Sequence, residues 1–264
     1  MTTDDIEQDH RRAAIRHTAS RVPEVTVAFW ITKGLTTGMG ESSSDYLVHR
    51  LPPVLAVALG GIALAVALGL QLAARRYVPW TYWLAVAMVG VFGTMAADVL
   101  HVGLGVPYLV STAFFALALA VIFALWYSSE RTLSIHSIHT TRREVFYWAA
   151  VITTFALGTA AGDLTAVTLH LGYLSSGVMF AVVIAIPALA HWRFGMNAIL
   201  AFWFAYIATR PLGASLADWM GVSHARGGLA LGAGPVSFAL AVLIGCFVVY
   251  LSIARRGDDG DTRP

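Results

Sequence analysis

Eight long apolar stretches constrain this chain more than any other feature of its sequence. Crossing about 30 Å of hydrocarbon takes roughly 20 apolar residues in a helix. With 58% hydrophobic and only 12% charged residues, the chain has too little polar surface for a soluble domain of its size. The sequence therefore predicts an all-α integral membrane protein with eight transmembrane helices. The stretches lie near residues 24–48, 52–73, 80–101, 107–127, 145–168, 173–192, 196–219 and 229–253.

The distribution of arginines predicts how these helices are oriented. Most arginines lie before the first stretch, after the last one, or in the connections that follow the even-numbered stretches, whereas Arg50 and Arg226 lie on the other side. The positive-inside rule then makes both termini cytoplasmic. Residues 1–22 and 255–264 are expected to be polar cytoplasmic tails of a multi-pass membrane domain spanning residues 23–254.

A fourfold repeat underlies the pattern of stretches. The signature [FY]-W-x9-G-x4-D occurs four times and ends at Asp45, Asp98, Asp163 and Asp218. Each repeat is predicted to be one signature helix followed by one plainer apolar helix, at about residues 24–74, 79–128, 144–193 and 196–253. All four repeats begin on the predicted cytoplasmic side, so they run in the same direction. Small residues before each aspartate favour close helix packing, with the signature helices around a pseudo-four-fold axis and the plainer helices outside.

The four repeated aspartates are the strongest candidates for function. Fifteen residues of helix place each aspartate about 22 Å from its signature tryptophan, towards the outer part of the bilayer. Four carboxylates and the negative ends of four helix dipoles would converge there, which favours cations or protons. The alternative is that each acid simply reaches water at the membrane surface. The signature tryptophans are interpreted as interfacial anchors and the glycines as packing points.

The first and fourth repeats add further charged residues to this region. Lys33, Glu41 and Asp45 follow one another at multiples of four residues along one helix face, and Glu41 and Asp45 could share one hard cation. Arg210 precedes Asp218 by about two helical turns. Two basic residues against Glu41 and the four aspartates leave a formal charge of −3, which calls for cations, protons or water. His101, Thr94 and Thr159 are possible accessory ligands, and no metal is identified.

Four segments carry a resemblance to a known group of proteins. They are KGLTTGMGE, GTMAADVLH, GTAAGDLTAVTL and TRPLGASLADW, and the likeness extends from Glu24 to Tyr250. On these segments the chain resembles a family of uncharacterised bacterial multi-span membrane-anchored proteins with no assigned activity. The resemblance implies a location in the bacterial inner (plasma) membrane and brings no catalytic residue with it.

Cation transport is the function that the acid pattern favours. The ligand set is rich in oxygen and free of thiolate, so the preferred form is export of a divalent, manganese-like cation in exchange for protons. A passive cation channel is the main alternative, because rings of acids also form selectivity filters. An intramembrane enzyme or a structural membrane protein is less favoured. The expected partners are the lipid bilayer and a small inorganic cation or proton, with no cofactor and no nucleic acid, and the oligomeric state is left open.

Overall fold

The structure, a computed structural model, describes residues 20–74 and 76–261, and within them every long element is an α-helix. No β-strand occurs in these two ranges. Short π-helical turns extend α3 over Val99–Gly103 and α5 over Leu164–Thr168. The eight helices are α1 (Val27–Arg50), α2 (Pro53–Ala73), α3 (Pro79–Asp98), α4 (Tyr108–Glu130), α5 (Thr141–Asp163), α6 (Tyr173–Phe194), α7 (Ala198–Gly221) and α8 (Ala233–Asp261).

The helices follow the predicted apolar stretches, which confirms the prediction of a multi-pass, all-helical membrane protein. Seven of them, α2 to α8, are long and apolar enough to cross a membrane. The remaining helix, α1, is less apolar because it carries Lys33, Glu41 and Asp45. At the other end of the chain, α8 continues to Asp261, through residues that the sequence predicted to form a tail.

Three of the four signature helices, α1, α3, α5 and α7, begin at a side-chain cap. The hydroxyl of Thr26 accepts a hydrogen bond from the Phe29 backbone N–H at 3.2 Å, and Thr140 accepts one from Arg143 at 3.3 Å. The Asn197 side chain likewise accepts from the Ile199 N–H at 2.9 Å. Such caps satisfy N–H groups that have no partner within the helix. The remaining signature helix, α3, begins instead with Pro79, which has no backbone N–H and so needs no acceptor there.

The signature helices contact one another in a closed cycle. Helix α1 packs against α3, α3 against α5, α5 against α7, and α7 against α1. Each of the other helices, here called the outer helices, packs mainly against the signature helix of the next repeat: α2 on α3, α4 on α5, α6 on α7, and α8 on α1. The signature helices are therefore inside. In the most apolar stretch of α3, α5 and α7, 56–61% of the residues are buried, whereas in the corresponding stretches of the outer helices only 11–17% are buried.

The signature glycines lie where neighbouring signature helices approach most closely. A Cβ atom on Gly40 would lie 2.6 Å from the carbonyl carbon of Gly90, and one on Gly93 would lie 2.9 Å from Cβ of Phe155. Gly158 faces Arg210 and Gly213 faces Thr37 in the same way. In every case the opposing residue is three positions before the signature glycine of the next repeat. The glycines are thus required because no side chain fits between these backbones.

The signature aromatic residues close the N-terminal ends of the signature helices. Trp83, Trp148 and Trp203 are at most 5% exposed, and the indole N–H of Trp203 donates to the Leu133 carbonyl at 2.9 Å. The interpretation of the signature tryptophans as interfacial anchors is therefore wrong for these three. They pack inward because each lies beside the aromatic ring that precedes it in the signature and against rings of neighbouring helices.

A polar network holds the residues before α1 against the N-terminal ends of the signature helices. Arg21 forms an ion pair with the fully buried Glu144 at 2.7 Å, and Gln71 donates to the other carboxylate oxygen of Glu144 at 3.0 Å. The backbone of Arg21 donates to Ile138, and that of Tyr77 donates to Ser20. These bonds hold the segment that precedes α1 across the N-terminal end of the signature helices.

The glycine contacts predict a large difference between two alanine substitutions. Gly40→Ala should destabilise the fold, because the new methyl group would overlap the backbone of Gly90. Gly69→Ala, in outer helix α2 with no atom within 4 Å of the new Cβ, should be neutral or stabilising by up to about 1 kcal/mol. Melting midpoints of the two purified variants in one detergent measure the difference. Equal midpoints would contradict the close contact between α1 and α3.

Candidate functional site

The interior between the signature helices is built in layers. Steps of four residues repeat on one helix face about every 6 Å, so equivalent positions of the four helices stack from the aromatic end to the aspartates. The five layers are Phe29, Tyr82, Tyr147 and Phe202; then Lys33, Val86, Val151 and Tyr206; then Thr37, Gly90, Phe155 and Arg210; then Glu41, Thr94, Thr159 and Ala214; and finally Asp45, Asp98, Asp163 and Asp218.

Arg210 is the centre of the buried polar interior. Its fully buried guanidinium donates to the Thr37 carbonyl at 3.1 Å and to Glu41 Oε2 at 2.7 Å. It also donates to the hydroxyl of Thr94, and to that of Thr159 at 2.8 Å. These acceptors belong to α1, α3 and α5, whereas Arg210 belongs to α7. One side chain therefore connects all four signature helices.

Lys33 lies one layer from Arg210, on the side away from the aspartates. Its Nζ is buried and has no hydrogen-bond acceptor, and it lies 4.4 Å from the centre of the Phe155 ring and 4.2 Å from that of Tyr206. Aromatic faces attract an ammonium group when water is excluded. Beyond Lys33, the hydroxyls of Tyr82 and Tyr147 are 2.5 Å apart. The interior is thus filled by basic and aromatic side chains below the Glu41 layer.

The aspartate layer differs from the layers below it because its carboxylates are partly exposed and have no lysine or arginine within ion-pair distance. Asp45, Asp98, Asp163 and Asp218 are all half-buried, and 18% of the Asp163 side chain is exposed. Within residues 20–74 and 76–254, no lysine or arginine nitrogen lies within 4.0 Å of these carboxylates. These acids are therefore available to bind a cation or protons.

The four aspartates fall into two different pairs. Asp98 and Asp163 each place a carboxylate oxygen, together with a ring nitrogen of His101, in a group whose three atoms lie within 4.8 Å of one another. Asp45 and Asp218 instead line an open cavity of about 370 Å³, whose wall also includes His49. The aspartate layer is thus a half-exposed acidic region with two kinds of surroundings.

The structure groups the predicted site residues differently from the sequence analysis. Glu41 was expected to share a cation with Asp45, but it binds Arg210, because the guanidinium reaches it from the adjacent helix. Thr94 and Thr159, expected as accessory ligands, serve as acceptors for Arg210. Lys33, expected to balance the acids, lies between aromatic rings, three layers away from the aspartates. His101 is the only accessory residue placed against the aspartates.

Two features of this region have no clear signal in the sequence. The π-helical turns follow Asp98 and Asp163 but not the other two aspartates, although all four lie in similar apolar segments. Ser111, which fixes the His101 ring, lies ten residues further on in the first turns of α4. Its position could be found only by knowing that α4 folds back beside the end of α3.

These observations define the class of the protein: a multi-pass helical membrane protein made of four two-helix repeats around a buried ionic centre. The chain belongs to the family described as Repeat of Unknown Function (DUF347), which matches residues 28–77, 81–132, 146–197 and 201–257. The four matches confirm the internal repeat predicted from the signature. No curated protein and no solved structure matches the chain.

The Arg210 cluster predicts a strong dependence of stability on this one ion pair. Arg210→Met should cost about 3–5 kcal/mol, because it leaves Glu41 as an unpaired buried charge. Adding Glu41→Gln to that variant should recover part of the loss. The free energy of unfolding in detergent, or the folded fraction after heating, measures both effects.

A matched control is Arg142, whose side chain is 67% exposed and lies 3.5 Å from the carboxylate of Glu130. Arg142→Gln should change stability by no more than about 1 kcal/mol. If Arg210→Met were as mild as Arg142→Gln, the buried cluster would not be what holds the helices together.

Proposed function

We propose that this protein transports a cation across the membrane in exchange for protons, using the aspartate layer as its binding site. The observation that carries the proposal is the position of four half-exposed carboxylates, without lysine or arginine partners, directly beyond a sealed interior. An ionised acid at membrane depth is costly unless it meets a cation, a proton or water. Occupation by a cation or by protons satisfies the same four groups in turn, which is the chemistry that an exchanger needs.

The proposed arrangement places the four signature helices around a pseudo-four-fold axis normal to the membrane, with all eight helices spanning it. The closed cycle of helix contacts and the four equivalent glycine contacts support this arrangement. Although α1 is less apolar than the others, it lies inside the cycle, where Lys33 and Glu41 are shielded from lipid. Its charged residues are therefore compatible with a spanning helix.

The interior favours a transporter over a passive channel. A cation entering from the aspartate layer would meet the Arg210 guanidinium and then the Lys33 amine, both fully enclosed. The aromatic layer and the Arg21–Glu144 network close the far end. Passage therefore requires the helices to rearrange, as in alternating access, whereas a channel needs a continuous path. In this conformation the aspartate layer is accessible from one side only.

Glu41 is suited to couple the aspartate layer to this rearrangement. It lies one helical turn before Asp45 on α1 and binds Arg210 on α7. A cation bound among the aspartates would attract Glu41 and repel Arg210. Since that ion pair also connects α3 and α5 through Thr94 and Thr159, a change in it would be transmitted to all four signature helices.

Replacing either of two aspartates should abolish transport without unfolding the protein. Asp98→Asn and Asp163→Asn keep the shape of the side chain but remove an anionic ligand and proton carrier, so we expect Mn²⁺ flux to fall at least about tenfold. Flux into proteoliposomes, with a pH indicator inside, measures cation and proton movement together. His224→Gln, in an exposed turn, is the control and should retain wild-type flux.

Two outcomes would contradict the transport proposal. Wild-type flux from both aspartate variants would remove the aspartate layer as the transport site. A wild-type conductance in planar bilayers that needs no proton gradient would replace the exchanger with a channel.

The proposed orientation, with both termini in the cytoplasm, is tested by labelling. Single cysteines at Ala74 and His136, in a Cys246→Ser background, should be protected from a membrane-impermeant maleimide in intact cells. Cysteines at Leu104 and Leu171 should react, because they lie at the aspartate end of the bundle. The opposite pattern would invert the positive-inside assignment.

A further inference from the structure

We propose that Asp98, His101 and Asp163 form the binding site for a divalent transition-metal ion such as Mn²⁺. This inference rests on the proposed function and narrows it, because it assigns the cargo to one of the two aspartate pairs. It also gives the cargo a chemical class: an ion that accepts one imidazole nitrogen and two carboxylates. Mixed nitrogen and oxygen ligands suit first-row transition metals, whereas Ca²⁺ and Mg²⁺ take oxygen ligands.

The ring of His101 is held so that one nitrogen faces the two carboxylates. Its side chain is only 2% exposed, and its Nδ1 lies 3.9 Å from Asp163 Oδ2. That nitrogen has no hydrogen-bond partner. A buried ring nitrogen without a partner is costly, and binding a metal between it and the carboxylates would satisfy it.

The second ring nitrogen determines which form of the imidazole is present. Nε2 lies 2.5 Å from the Ser111 hydroxyl, and that hydroxyl donates its own proton to the Tyr108 carbonyl at 3.1 Å. With its proton directed to that carbonyl, Ser111 can accept a hydrogen bond from a ring proton on Nε2. In this tautomer the lone pair is on Nδ1, the nitrogen that faces the carboxylates, and it is the tautomer that the proposed site uses. This is the usual arrangement of a metal-binding histidine, whose second nitrogen donates to a fixed neighbour.

The spacing of the three donor atoms is close to that of a bound ion. A transition metal with ligands at about 2.1 Å holds neighbouring donors roughly 3–3.5 Å apart. The 3.9 Å between His101 and Asp163 would therefore close by less than about 1 Å, and no separation in the group, all within 4.8 Å, by more than about 1.8 Å. Rotation of the half-exposed carboxylates of Asp98 and Asp163 supplies this change, while the ring of His101 stays fixed against Ser111 and Tyr108. Three protein ligands leave further positions for water, which allows the ion to exchange.

The other aspartate pair lacks these features. His101 lies three positions after Asp98, and in the other three repeats that position is occupied by Val48, Ala166 and Gly221. His49 is near Asp45, but it is exposed and its Nδ1 lies 2.6 Å from the Asp45 backbone carbonyl. Only the Asp98–Asp163 pair therefore combines two carboxylates with a buried, free ring nitrogen among the described residues.

The test measures Mn²⁺ binding to the full-length protein in detergent, without a histidine tag. His101→Gln should weaken Mn²⁺ binding roughly tenfold or more and change Ca²⁺ binding less than about threefold. Asp163→Asn should weaken both. His49→Gln is the matched control, since it removes the histidine of the other aspartate pair, and it should leave Mn²⁺ binding unchanged.

Pulsed electron paramagnetic resonance on the wild-type protein gives a readout that needs no variant to fold. Bound Mn²⁺ should show coupling to one imidazole nitrogen, and the coupling should disappear in His101→Gln. Bound Mn²⁺ without nitrogen coupling, or an affinity lowered by His49→Gln and not by His101→Gln, would overturn the proposed site.

The two proposals fail in different ways. If His101→Gln keeps Mn²⁺ flux with the same dependence on Mn²⁺ concentration as the wild-type protein, this site is overturned but the transport proposal is not. Mn²⁺ bound with nitrogen coupling, but without flux in proteoliposomes, would support this site and overturn transport.

Discussion

The buried guanidinium of Arg210 is the interaction on which the rest of the structure depends. A fully enclosed charge is costly unless it is paired and hydrogen-bonded, and here acceptors from α1, α3 and α5 surround Nη1 and Nη2, while Nε has no partner. Sliding any of these helices by one turn, about 5.4 Å, would remove an acceptor. Arg210 therefore sets the relative heights of the four signature helices, and with them the height at which the aspartates meet.

The four signature helices pack in the same way at their backbones but carry different side chains at equivalent interior positions. Every signature glycine opposes the same position of the next repeat, yet that position is occupied by Thr37, Gly90, Phe155 and Arg210 in turn. A contact that needs only a small residue on one side accepts any residue on the other. The repeated glycine thus keeps the helices together while the opposing position is free to carry a charge, and in one repeat it does.

The sequence predicts the elements of this fold better than it predicts their pairing. Apolar stretches and the repeated signature locate the helices and their inside faces, because both depend on local composition and period. That Glu41 binds Arg210, and not a cation shared with Asp45, depends on which helices are neighbours and at what height. The burial of Trp83 and Trp148 has the same origin, since a tryptophan near a helix end is equally suited to a lipid interface or to a neighbouring ring. The π-helical turns after Asp98 and Asp163 have no local signal at all.

Those two turns show why four equivalent acids need not act alike. Asp45 is followed by ordinary helix to Arg50, and Asp218 by helix to Gly221, and this pair lines an open cavity. Asp98 and Asp163 lead into wider turns, and the one after Asp98 contains the buried His101. Interruptions of this kind are frequent at functional sites. On the proposed function, a metal ion would occupy the pair that offers a nitrogen ligand, in exchange for the protons that the acids hold without it. The exchange would then take place within reach of Glu41, because the layer lies one helical turn from the ion pair that joins all four signature helices.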